Sequence, residues 1–131
     1  MNDSRTPKLD YIILCDSVSS SPEGKKTLYG LFDTINSKVF PCVHSNFFIV
    51  IRFMNGMGTH EVVVQIVDPK DNIIFKAPQT LEIKLDSPLS SVDLLMQFQV
   101  FEFRSPGHYK IKIVLDGRVM EETRTFELKQ V

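Results

Sequence analysis

The sequence has no tryptophan, only two cysteines and no excess of positive charge, and each shortage excludes a class of protein. Fifteen Lys and Arg stand against 16 Asp and Glu, a formal net charge of -1. Nucleic acids and acidic membranes select a basic surplus, so neither is expected as a partner. Cys15 and Cys42 are too few for the disulfide framework of a small secreted scaffold. Two free thiols are expected, with a single bridge between them left open. Long apolar runs are also missing. The first, Tyr11 to Cys15, is too short for a signal-peptide core or a membrane span, which points to a cytoplasmic protein. What is present is 131 residues, 43% of them hydrophobic, enough for one compact domain. A chain of this size hides roughly two-thirds of its unfolded surface and needs no metal or disulfide staple. The division expected is a short polar tail over residues 1–8, poorly ordered as far as Pro7, and one domain over 9–131.

Turn signals recur at Ser19 to Gly24, Asn55 to Gly58, Asp68 to Asn72, Ser87 to Ser91, Ser105 to Gly107 and Asp116-Gly117. Between them the apolar residues alternate. Leu81, Ile83 and Leu85 interleave with Glu82, Lys84 and Asp86, and Tyr109, Ile111, Ile113 and Leu115 with Lys110 and Lys112, as half-buried strands require. Val62, Val64 and Ile66 repeat the pattern. Asp116-Gly117 is a two-residue hairpin signal, because both central positions of a type I′ turn need positive φ. The segment from about Asp93 reads as a strand through Leu94, Met96, Phe98 and Val100, with a one-turn helix at Leu89 to Val92 as a minor alternative. The fold expected is all-β: a single antiparallel β-sandwich, immunoglobulin-like or C2-like, of about eight strands.

Two runs, Ile12-Ile13-Leu14 and Phe47 to Ile51, are apolar on both strand faces, whereas a two-layer sandwich wets one face of each strand. A second cover is required. The candidates are the connection Asn36 to Ser45, with Val39, Phe40 and Val43, or a second copy of the chain. The apolar content of that connection is small, so the expectation is a homodimer with Phe48, Val50, Phe101 and Phe103 at its interface.

The chemistry-bearing residues form no recognisable constellation. His44, His60 and His108 have no metal-ligand spacing, and nothing matches a phosphate-binding loop or a nucleophile elbow. No cofactor and no metal are expected. Asp68, Asp71 and Asp116 sit in turns and suggest a weak calcium loop, but Asp and Asn are also what a tight turn uses, and Lys70 would oppose a cation. Asp33 is placed by alternation with Tyr29, Leu31 and Ile35 on a core face, where a carboxylate must be paired or hydrogen-bonded. Asp16 poses the same question at another strand end.

Leu14-Cys15-Asp16, Gly24-Lys25, Leu28 to Asp33, Phe40-Pro41 with His44 and Phe47, Val67-Asp68-Pro69, and Pro106-Gly107 with Tyr109 and Asp116-Gly117 together resemble an uncharacterised bacterial family of small β-sandwich proteins. The resemblance spans nearly the whole chain after Asp10. It implies an immunoglobulin-like sandwich in a bacterial cytosol and supplies no function.

Three readings follow from the residues. The first is a non-catalytic binding or assembly module with an unidentified protein partner or a second copy. The second is a small-ligand binder or unusual hydrolase with a polar pocket of Asp16, Lys25, Asp33 and His44, which requires those groups to converge. The third is a calcium-dependent surface binder. The first is preferred and catalysis is not expected.

Overall fold

A computed structural model describes residues 4–77 and 80–131. Among them are eleven strands and no helix: β1 (Lys8–Ser20), β2 (Lys26–Phe32), β3 (Thr34–Ser37), β4 (Cys42–Met54), β5 (Gly58–Val67), β6 (Ile73–Lys76), β7 (Leu81–Leu85), β8 (Ser91–Phe103), β9 (Gly107–Leu115), β10 (Arg118–Val119) and β11 (Arg124–Gln130). The surplus over eight lies in β3, β6 and β10, of four, four and two residues, too short to show a period in the sequence. Leu89 lies in a turn closed by Ser90 N–H to Ser87 O, 3.0 Å, not in a helical turn. The Asp116-Gly117 turn has φ of 50° and 80°, as its two-residue hairpin requires.

Two sheets pack face to face. One runs β2-β1-β4-β8; the other runs β3-β11-β9-β5-β6, with β10 beside β9 and β7 beside β5. All pairs are antiparallel except β3 with β11. The alternating residues of β5, β7 and β9 supply one wall of the core: Val62, Val64, Ile66, Ile83, Leu85, Tyr109, Ile111 and Ile113 are all buried. Leu14, Phe47, Ile49, Ile51 and Phe53 supply the other.

β4 and β8 change face in the middle. Inward residues of β8 run Val92, Leu94, Met96, Phe98, then Phe101 and Phe103, and the ladder with β4 skips Ser45 and Val100. Val100 has φ 53°, so the strand turns over there and Val100 itself points to solvent. Phe98, Phe101 and Phe103 therefore lie on one side and not on two. Their rings form a cluster with Phe47: Phe47 and Phe98 stack at 4.9 Å, and Phe101 and Phe103 meet at 4.9 Å. This corrects the expected interface, because Phe103 is fully buried in the core and Phe101 packs against it.

The outer face of the four-stranded sheet is covered by the chain itself. β1 pairs with β4 only as far as Cys15, and its ladder with β2 skips Asp16 and Gly30, where Gly30 has φ 67°. Beyond that row the β1–β2 hairpin folds back. Were the sheet flat, Lys26, opposite Ser20, would lie nine residues or about 30 Å along the strands from the row of Tyr11, Arg52 and Asp93. Instead Lys26 Nζ is 3.3 Å from Asp93 Oδ2. The hairpin thus lies across the outer face with the half-buried Val18 and Leu28 on the same side as Lys26. Cys15 and Val50, which point outward and lie outside the inter-sheet cluster, are fully buried.

That arrangement accounts for the doubly apolar runs without the connection 36–45, which is itself mostly strand. Of its expected apolar covers, Val39 and Val43 are exposed, and Phe40 packs, like the neighbouring Cys42, into the inter-sheet core and not onto the outer face. Residues 1–3 of the expected tail lie outside the described residues. Ser4 to Pro7 are tied down: Arg5 exchanges two 2.9 Å backbone hydrogen bonds with Met57, and Pro7 is buried.

Candidate functional site

Asp16, Lys25, Asp33 and His44 make no hydrogen bond or ion pair with one another, and none of the five principal cavities is lined by two of them. Asp16 is exposed at the bend of β1, its carbonyl accepting from Asn46 Nδ2 at 3.4 Å. Lys25 is exposed at the hairpin tip, where its backbone N–H donates to Ser21 Oγ at 3.1 Å. His44 is half-buried against aromatic rings, 5.9 Å from Phe32 and 5.5 Å from Phe47. Asp33 is exposed between β2 and β3, contrary to its expected core position. Alternation misplaced it because Tyr29 and Leu31 are themselves 50% and 63% exposed, so their face of β2 is not the core face. Asp33 does line a small cavity of about 210 Å³ with Ile13, Leu31, Phe32 and Arg124, whose buried Nε has no hydrogen-bond partner.

The acidic turns are also apart. Asp68 closes its own turn, accepting from the N–H groups of Lys70 at 2.9 Å and Asn72 at 2.8 Å, and these bonds hold its carboxyl below the usual range against slight desolvation. Asp116 sits opposite Glu61 at the other end of β5, seven residues or about 23 Å from Asp68. The two carboxylates do not share a cation. Among the described residues no group of three or more His, Cys, Asp or Glu could hold a metal ion.

The best-built polar pair is one the spacing did not reveal. His60 on β5 is buried, with Nδ1 2.6 Å from Asp116 Oδ2 and Nε2 2.8 Å from the carbonyl of Met57. Both partners accept, so the ring satisfies them only as an imidazolium, donating from both nitrogens. Burial opposes the charge, but the Asp116 and Met57 hydrogen bonds outweigh it and raise the ring above ordinary imidazole. Asp116 is correspondingly lowered, desolvation being overcome by His60 and the Glu61 N–H at 2.8 Å. Both ring N–H groups are taken up by structure, which makes this pair a clamp between the β5 entry and the β9–β10 turn.

A second ionic group lies on the outer face. Arg52 donates to Asp93 through Nε at 2.7 Å and Nη2 at 3.1 Å and stands over the Tyr11 ring at 5.2 Å. Arg52 and Lys26 hold the Asp93 carboxyl down against its desolvation.

An apolar groove follows β8, an edge strand. Thirteen residues long, it pairs with β4 on one side and has no strand on the other among the described residues. Leu95 is 43% exposed, and Met96 and Phe98 beside it border a groove of about 390 Å³ whose far wall is Phe75, Ala77 and Leu81. Ile73, Ile74 and Val100 add further exposed apolar side chains on β6 and β8. A larger cavity of about 500 Å³ opens beyond β6, between Asp68, Ile74, Glu102, Arg104 and Tyr109, and the Tyr109 hydroxyl there donates to Ser105 O at 2.7 Å.

A family model described as a family of unknown function (DUF6941) matches residues 10–126. No curated protein matches by sequence. Among solved structures, a β-glucosidase from Listeria innocua aligns over 95% of this chain and 17% of its own, at 9% identity and TM-score 0.46. The Pseudomonas fluorescens alkylpurine DNA glycosylase AlkC, bound to DNA with an abasic-site analogue, aligns over 90% of this chain and 30% of its own, at 12% identity and TM-score 0.46. The chain therefore spans under a third of either protein. No helix of the described residues is long and apolar enough to cross a membrane.

Proposed function

The chain belongs to the DUF6941 family of unknown function, and from that premise we propose that it is a non-catalytic binding or assembly module that pairs, through the open edge of β8, with a second copy of itself. The observation that carries this reading is the thirteen-residue edge, unpartnered among the described residues, with half-exposed apolar side chains along it. Such an edge presents a row of free N–H and C=O groups, the template for strand addition. Self-pairing suits this strand. In an antiparallel pair centred on Gln97, Leu95 of one copy meets Gln99 of the other, Glu102 meets Val92, and Asp93 meets Phe101, so no like charges face each other. That Asp16, Lys25, Asp33 and His44 share no hydrogen bond and no described cavity supports a role without catalysis. Two free, buried thiols suit a reducing cytosol.

Light scattering coupled to size exclusion tests the reading. At micromolar concentration the mass expected is about twice 15.0 kDa, and Leu95→Lys, which places a charge beside the edge, returns it to 15.0 kDa with the melting temperature little changed. A mass of 15.0 kDa for the unaltered protein at every concentration tested overturns the proposal.

A further inference from the structure

We propose that the outer half of the β1–β2 hairpin is a strap, hinged at Asp16 and Gly30 and latched by Lys26 on Asp93, that opens without unfolding the sandwich and uncovers the apolar outer face of β1 and β4. Three independent features meet at the hinge. The β1–β4 ladder ends at Cys15, the β1–β2 ladder skips the Asp16–Gly30 row, and Gly30 adopts φ 67°, a conformation costly for any residue with a side chain. A side chain at Gly30 would also collide with the Asp16 carboxylate. The strap beyond the hinge belongs to neither sheet's continuous ladder, since Ser17 to Ser20 pair only with β2.

The latch is ionic and accessible. Asp93 is almost fully buried by side chain, at 7%, and is held from below by Arg52, whereas Lys26 remains 30% exposed. Lys26 can therefore leave without stranding an unpaired carboxylate, because Arg52 keeps both Asp93 oxygens occupied. What the strap hides is Cys15, Val50 and, in part, Ile13 and Phe48, a patch that a closed monomer keeps from water. The inter-sheet core, with Cys42 in it, does not depend on the strap.

The two cysteines make the motion readable, because Cys15 lies under the strap and Cys42 lies in the core. Thiol labelling followed by peptide mass spectrometry reports both in one sample. In the unaltered protein Cys15 is expected to label at least tenfold faster than Cys42, and raising salt from 0.05 to 1 M, which weakens the Lys26–Asp93 attraction, is expected to widen that ratio. Lys26→Met is expected to accelerate Cys15 about tenfold more with Cys42 unchanged. Equal rates for the two thiols at every salt concentration would mean that Cys15 is reached only by global unfolding, and would overturn the strap whether or not the variant folds.

Discussion

His60 joins three segments through two hydrogen bonds, and its charge decides whether both persist. Its folded pKa lies above the ordinary imidazole value, so its contribution to stability is complete below about pH 6.5 and is lost as pH rises through the folded pKa. Asp116 works in the opposite direction: its lowered pKa contributes above the ordinary carboxylate range and is lost as pH falls through the folded value. The melting temperature should therefore be highest in mildly acidic buffer and fall toward alkaline pH, and His60→Gln should abolish that alkaline fall. A melting temperature independent of pH between about 5.5 and 8.5 would refute the imidazolium assignment. His60→Gln should also destabilise by about 1–3 kcal/mol, measured by urea unfolding, since the buried contacts are not reproduced. Val100 points the other way. A β-branched residue at φ 53° is strained by about 1–2 kcal/mol and is exposed, so Val100→Gly should leave stability unchanged or raise it, despite glycine's usual cost in a strand.

At the scale of elements, alternation read directly from the residues identifies β5, β7 and β9, because each keeps one face in the core along its whole length. It fails for β8 and β2 for a common reason. In β8 the face changes at Val100, so Phe98 and Phe101, three apart, share a side that strict alternation denies them. In β2 the bend at Gly30 turns Leu28 and Lys26 toward the outer face of the sheet, so counting from Tyr29 to Asp33 assigns the wrong side. Neither the positive φ at Val100 nor the row at which the hairpin folds back can be read from hydrophobic pattern. The doubly apolar runs signal a second cover, but the sequence reading assigns it to a second copy over Phe48 and Val50, whereas the β1–β2 hairpin of the same chain supplies it. Phe47 is the element-level anchor. It stacks on Phe98 and meets Phe32, Phe101 and Phe103 edge-on or tilted, so Phe47→Ala should cost about 3–5 kcal/mol in chemical denaturation. A loss under 1 kcal/mol would mean that the aromatic cluster repacks freely.

For the whole molecule, the arrangement of two sheets closes one apolar face with its neighbour and the other with a hairpin, and it leaves one long edge open. The polar residues singled out by sequence, Asp16, Lys25, Asp33 and His44, are legible as residues but not as a site, because hydrophobic pattern does not encode which side chains of different strands meet. The central claim is that β8 is where a second copy docks. Hydrogen exchange along β8 tests it most directly. The amides that point away from β4 have no strand to bond among the described residues of the monomer and should exchange quickly in dilute solution. At concentrations where the mass is twice 15.0 kDa, every second amide from Asp93 to Phe101 should become protected. A dimer in which those amides stay as fast as in the dilute protein would place the contact elsewhere and contradict the account.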